Sequence, residues 1–194
     1  MAAVIKELQL DHANFLRLLG VLEKELAVFD AGDTPDYEII GAVAQYFMEY
    51  SERFHHPLEN AIYDRLAERD PDLAAKMGDL RREHEGISEG ARQFLEATQA
   101  ILKEAELPRS VFHDRVAAFI KTEREHIAME EQSFLKAASK RLTSDDWQAV
   151  EKTREKAEDP VFGEEAQNDF RDLAAHLLEW ERENRASRKA ALSN

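Results

Sequence analysis

Apolar positions step by three and four along four long stretches of the chain, and the same stripes carry histidine and glutamate. About residues 3–29 the stripe reads Ile5, Leu8, His12, Phe15, Leu19, Leu22, Leu26 and Phe29. About 36–69 it reads Ala44, Met48, Ser51, His55, Glu59, Ile62 and Leu66. About 71–105 it reads Leu73, Met77, Leu80, His84, Ile87, Ala91, Phe94, Thr98 and Ile101, and about 109–140 Phe112, Val116, Phe119, Glu123, His126, Glu130, Ser133 and Ala137. That period belongs to an amphipathic helix with one face turned to a core. Breaks at Asp30–Pro35, Asp70-Pro71 and Leu107-Pro108 supply capping side chains or a proline for the first turn of the next helix. Long helices joined by short turns predict an all-α, up-and-down four-helix bundle over residues 1–140. Pro57 interrupts the second stripe, where it either kinks the helix or begins a new one.

Two shorter helical stretches are expected over 144–157 and about 164–190, separated by Asp159-Pro-Val-Phe-Gly163. Residues 141–194 therefore read as a helical C-terminal extension. Its Trp147, Phe162, Phe170, Leu173, Leu177 and Trp180 are suited to cover the bundle or to meet a second subunit in a homo-oligomer.

Composition narrows the chemistry. Cysteine is absent, which removes disulfides, thiolate metal sites and cysteine catalysis. A formal charge of -14 disfavours nucleic acid and anionic membrane surfaces, which select for clustered Lys and Arg. No apolar run approaches the roughly 20 residues that span a bilayer. Met1 to Leu10 includes Lys6, Glu7 and Gln9 and holds no signal-peptide core, so a cytoplasmic protein is expected.

The polar members of the stripes form a repeat. Glu-Arg-x-His-x-x-x-Glu occurs at Glu52–Glu59 and again at Glu123–Glu130, offset by 71 residues. His12 precedes His55 by 43 positions, and His84 precedes His126 by 42. Counted from the turns, the four histidines and Glu59 and Glu130 reach one level of an up-and-down bundle, to within a turn or so at about 1.5 Å per residue. A buried charge without a partner is costly, and metal coordination is one of the few escapes. Imidazole and carboxylate without sulfur suit Fe, Mn or Zn, and a carboxylate can bridge two such ions. The arrangement that uses most of these residues is a dinuclear site, with His12, His55, His84 and His126 as terminal ligands and Glu59 and Glu130 as bridges.

Other residues nearby leave alternatives open. His56 lies about 100° round the helix from His55 and still reaches Glu59, as a ligand or as a neighbour of the ligands. Glu52 and Glu123 complete Glu-x-x-His, the spacing of ferritin-like diiron-carboxylate sites. Helices one and three offer histidine at that depth, so the two glutamates are expected to orient the histidines from behind.

The set His12, Phe54-His55-His56-Pro57-Leu58-Glu59, Glu83-His84 and His126-Ile-Ala-Met-Glu130-Glu131 resembles the hemerythrin-like family (HHE cation-binding), in its bacterial branch, over about residues 5–140. Leu142-Thr-Ser-Asp-Asp-Trp147 and Asp159–Gly163 are similar to that branch as well. The resemblance implies two non-haem Fe ions, oxo- or hydroxo-bridged, that react with O2, NO or peroxide. Two departures stand out. Oxygen-carrying members place a second histidine four residues after the one on helix three, where this chain has Ser88; water, His56 or substrate is left to fill that position. Their last carboxylate can also fall five residues after the final histidine, which here is Glu131. The departure at Ser88 makes reversible O2 carriage a weaker expectation than diiron binding, and the expected function is binding or sensing of O2, NO or peroxide. The alternatives are a peroxide-consuming or oxidase diiron enzyme, and an iron-responsive interaction module.

Overall fold

The computed structural model describes residues 3–155 and 158–191. Helix α1 runs Ala3–Asp30, and its 28 residues reach about 42 Å. The second arm is one continuous helical path: α2 Tyr37–Tyr46, a π-helical segment Phe47–His55, and α3 His56–Arg69. A short α4, Pro71–Lys76, leads into α5, Leu80–Leu102. The last arm is α6 Arg109–Met129, a second π segment Glu130–Phe134, and α7 Leu135–Arg141. Contacts join α1 to α2, α2 to α5, α5 to α6 and α6 back to α1. That closed order is the predicted up-and-down four-helix bundle, and among the described residues there is no strand.

Local chemistry explains the boundaries. Asp36 accepts the N–H groups of Glu38 and Ile39 to open α2, and Asp70 and Asp79 cap α4 and α5 in the same manner. The third helix does not run unbroken over 71–105 as its stripe implies. Gly78, at φ +84°, turns the chain between α4 and α5, and a side chain there would be strained.

Both π segments adjoin the polar level of the bundle. Pro57 has no N–H to give the carbonyl of Arg53, and the turn before it widens so that His56 N–H reaches Ser51 C=O. After the second segment Leu135 N–H likewise reaches Glu130 C=O. Each wide turn inserts residues relative to a regular helix and rotates the positions beyond it. The effect is visible in the core: Ser133 is exposed and Ala137 half-buried, whereas Phe134, Leu135 and Ala138 are buried. In the second arm Phe47 is buried and Met48 only partly so.

The core divides above and below the polar level. One side is built on Phe15, Leu19, Phe47, Phe94, Phe112 and Phe119; the other on Leu8, Ile62, Leu66, Leu80, Phe134 and Leu135. Helix α8, Ser144–Thr153, starts in a capping box between Thr143 and Asp146. It ends short of the predicted 157, and residues 156 and 157 lie outside the described residues. A 3-10 turn, Asn168–Phe170, precedes α9, Arg171–Ala191. Phe170, Leu173 and Leu177 join the aromatic side of the bundle core. Tyr46 donates to Asp159 at 2.8 Å, and Arg17 to Glu181 at 2.6 Å. No helix of the described residues is long and apolar enough to cross a membrane.

Candidate metal centre

One histidine from each arm enters the middle of the bundle: His12 from α1, His55 from the end of the first π segment, His84 from α5 and His126 from α6. Glu59 on α3 and Glu130 at the head of the second π segment join them. The histidines are buried, and both glutamates are fully enclosed at 0% exposure.

Each ring is held by its outer nitrogen. Nδ1 of His12 lies 2.9 Å from Glu131 Oε1, and Nδ1 of His55 lies 3.1 Å from Asp11 Oδ2. Nδ1 of His84 lies 3.2 Å from Asn60 Oδ1, and Nδ1 of His126 3.2 Å from Glu83 Oε2. All four partners are oxygen acceptors, so Nδ1 keeps a proton, and in the neutral ring the Nε2 lone pair faces inward.

The inner edges converge on the two carboxylates. His12 Nε2 stands 3.4 Å from Glu59 Oε1 and 3.2 Å from Glu130 Oε2. His55 Nε2 is 3.3 Å from Glu59 Oε2, and His84 Nε2 is 3.4 Å from the same oxygen. His84 and His126 lie 3.6 and 3.1 Å from Glu130 Oε1. These contacts are not aligned as hydrogen bonds. Nε2 of His12, His84 and His126 and all four oxygens of Glu59 and Glu130 have no hydrogen-bond partner. Buried polar atoms are seldom left so, because each costs about 1–3 kcal/mol unpaired. Two donors each about 2.1 Å from one ion, at right angles around it, stand roughly 3 Å apart. The spacing, the inward Nε2 edges and two buried carboxylates therefore fit cations that displace the Nε2 protons. The donors sort into two overlapping groups, His12, His55, Glu59 and Glu130, and Glu59, His84, His126 and Glu130.

His56 is also buried, but it is placed differently. Its ring stacks on that of His84, with centroids 4.0 Å apart and planes within 8°. Its Nε2 meets Ser51 Oγ at 3.0 Å. Burial first, then the neighbouring His84 and His55, hold its pKa well below the usual range and keep it neutral. A surface cleft of about 560 Å³ reaches this end of the site, lined by His56, His84, Ser88, Asn60, Met48 and Arg81 among others.

The hemerythrin HHE cation-binding domain, as a family, matches this sequence over residues 3–138. The chain belongs to that family. Its likeness to curated proteins and to solved structures goes no further, for nothing matches in either. The buried His/Glu cluster of this hemerythrin domain fits the metal site that the family description names.

Electrostatics within the hemerythrin site are set by the two carboxylates. Burial opposes charge on His12, but Glu130 and Glu59 outweigh it and raise its pKa to about 11. Burial likewise opposes charge on His126, and Glu130 and Glu83 carry it to about 10; for His55, Glu59 and Asp11 reach about 9. Glu130 is held at about 2: burial and Glu59 push it up, and the His12, His126 and His84 rings overcome both. A cation entering the cluster meets this same field and displaces protons from it.

Several predicted residues are placed otherwise than the sequence implied. Glu52 is exposed on the cleft and holds no histidine. Glu123 is fully buried, with Oε2 unpartnered, yet Glu83 rather than Glu123 holds the ring of His126. Burial raises the Glu123 carboxyl to about 7. Glu131 points behind His12, away from the inner edge occupied by Glu130, and is steadied by Gln9 at 3.0 Å. Sequence reasoning left Glu131 open as a ligand or a neighbour of the ligands, and did not single out Asn60 or assign the outer roles of Asp11 and Glu83. Asp11 and Glu83 each sit one position before a stripe histidine, the one signal available. Tyr50 donates to Asp11 at 3.3 Å, and Tyr63 donates to the Gly78 carbonyl outside the site.

Proposed function

We propose that this hemerythrin-family protein is a non-haem diiron protein that binds or senses O2, NO or peroxide. One observation carries the reading: four histidines, pinned through Nδ1, present Nε2 to two buried carboxylates whose oxygens have no other partner. In this assignment His12 and His55 would hold one ion and His84 and His126 the other, with Glu59 and Glu130 shared between the two. Nitrogen and oxygen donors without sulfur suit iron, with Mn and Zn as other ions the set accepts. Bound iron supplies one-electron chemistry to small oxidants.

The protein contributes shape and exclusion of water. Phe15 packs on His55 at 4.7 Å between centroids and on Phe47 at 5.2 Å, and Phe47 meets Phe119 at 5.0 Å. That wall closes one end of the site. The outer acceptors stiffen the rings, so little reorganisation accompanies loading. The cleft beside His84 is the entry proposed for a small ligand.

A second reading, consumption of peroxide, is favoured by Glu123. A carboxyl with a pKa near 7, buried close to the histidines, can hold or give a proton at neutral pH. Anaerobic iron loading followed by optical spectra before and after one equivalent of O2 separates the readings. A reversible spectral change supports binding or sensing, repeated turnover with peroxide supports the enzyme, and no response to either rejects both.

A further inference from the structure

His56 stands beside the donors of His84 and His126 without facing the carboxylates they share. A ring nitrogen binds along its lone pair, which lies in the ring plane. Two rings stacked 4.0 Å apart and 8° from parallel send their lone pairs side by side rather than to one point. One ion therefore could not lie in the planes of both His84 and His56 as the rings stand. The other histidines stand 3.1–3.6 Å from the bridging carboxylates. Among the described residues no carboxylate lies that close to His56, and its Nε2 is engaged by Ser51 Oγ. Even so, a donor atom of His56 comes within 4.8 Å of donors on both His84 and His126. The ring thus stands beside the donors of His84 and His126, and His56, His84 and Ser88 line the same cleft.

We propose that His56 is an exchangeable donor for the ion held by His84 and His126, latched away by Ser51, and that a small anion or oxidant entering through the cleft competes with it. When the ring turns out of its stack, one ring nitrogen takes the position and the Ser51 contact is lost; when a ligand arrives, the ring returns to Ser51. The inference rests on the diiron reading and adds a regulator to it. A ligand whose binding-competent state is only partly populated binds more weakly by that fraction, so Ser51 and His56 together set the apparent affinity.

The test uses the full chain loaded with Co(II), azide as the anionic probe, metal counting, and the d–d spectrum as readout. Removing the competitor in His56→Ala should leave two ions per chain and tighten azide binding several-fold. Removing the latch in Ser51→Ala should release the ring toward the ion and weaken azide, by roughly five-fold if the hydrogen bond has ordinary strength. Equal azide affinity in the three proteins at full loading would reduce His56 to a wall and overturn the proposal. Loss of an ion from saturated His56→Ala would make it a permanent ligand and overturn it as well. Fewer than two ions in the unaltered chain would instead reject the diiron reading on which it rests.

Discussion

Nδ1 of His12 meets Glu131 at 2.9 Å while its Nε2 faces Glu130 at 3.2 Å, so two consecutive glutamates act on opposite edges of one ring. In a regular helix neighbours point about 100° apart. Here the His12 ring of α1 lies between the two at the head of the π turn that starts at Glu130. The two carboxylates thereby acquire different tasks: Glu130 faces the proposed ions, and Glu131 fixes the ring that faces them.

Alanine at these neighbours should separate those tasks. Glu131→Ala is expected to keep two ions at saturation but to weaken affinity about 10–100-fold, the usual cost of losing a group that orients a ligand. Glu130→Ala should lose at least one ion even at saturation. Competition titration against a chelator, with elemental analysis, distinguishes them; equal loss in both would deny the division of labour.

Loading should release protons. At pH 7 the field of Glu59 and Glu130 keeps His12, His55 and His126 protonated in the absence of metal, at about 11, 9 and 10. Uptake of two divalent ions at pH 7 is then expected to expel about three protons, and apparent affinity should rise with pH up to the range of those values. Metal-free stability behaves in the opposite sense. The raised histidines stabilise the fold fully below their unfolded value near 6.5, and that contribution is lost as pH climbs through about 9–11. Calorimetry in buffers of different ionisation enthalpy gives the proton count; a value near zero contradicts this picture.

Glu123 carries a cost that a neutral side chain avoids. Its folded pKa near 7 exceeds the usual 4.5, so the penalty is absent below about pH 4.5 and complete above pH 7. Glu123→Gln should stabilise the metal-free protein at pH 8 by on the order of 3 kcal/mol and leave it nearly unchanged at pH 4. Urea unfolding at the two pH values provides the check, and a pH-independent effect would show that Glu123 is not an isolated buried acid.

The C-terminal helix sits against a glycine. A Cβ at Gly20 would lie 2.5 Å from Cζ2 of Trp180, too close without displacement of the ring. Gly20→Ala is expected to destabilise by about 1–3 kcal/mol through overpacking, with faster hydrogen exchange confined to α9. Unchanged exchange in α9 would mean that the ring moves aside at no cost.

The stripes were enough to read four helices, their order and the six inward residues, because a 3–4 step of buried polar groups is rare without a task. The outer acceptors were not legible. Asn60 reads as ordinary polar surface in an acidic chain, and Glu83 and Glu131, though part of the family pattern, act on rings of other helices that no spacing along the chain identifies. The π segments hid a second feature. Continuing a regular period past Glu130 put Ser133 inward, while the wide turn buries Phe134 instead. At the Pro57 end of the other wide turn, His55 and His56 are both buried, and only His55 stands within reach of the bridging carboxylates.

Metal counting on the protein after anaerobic loading tests the central claim most directly, with Glu59→Ala and Glu130→Ala alongside. Two ions per chain are expected, located between His12/His55 and His84/His126 by anomalous scattering, with at least one lost in each variant. A single ion, or two ions retained after both glutamates are replaced together, would contradict a dinuclear centre bridged by Glu59 and Glu130.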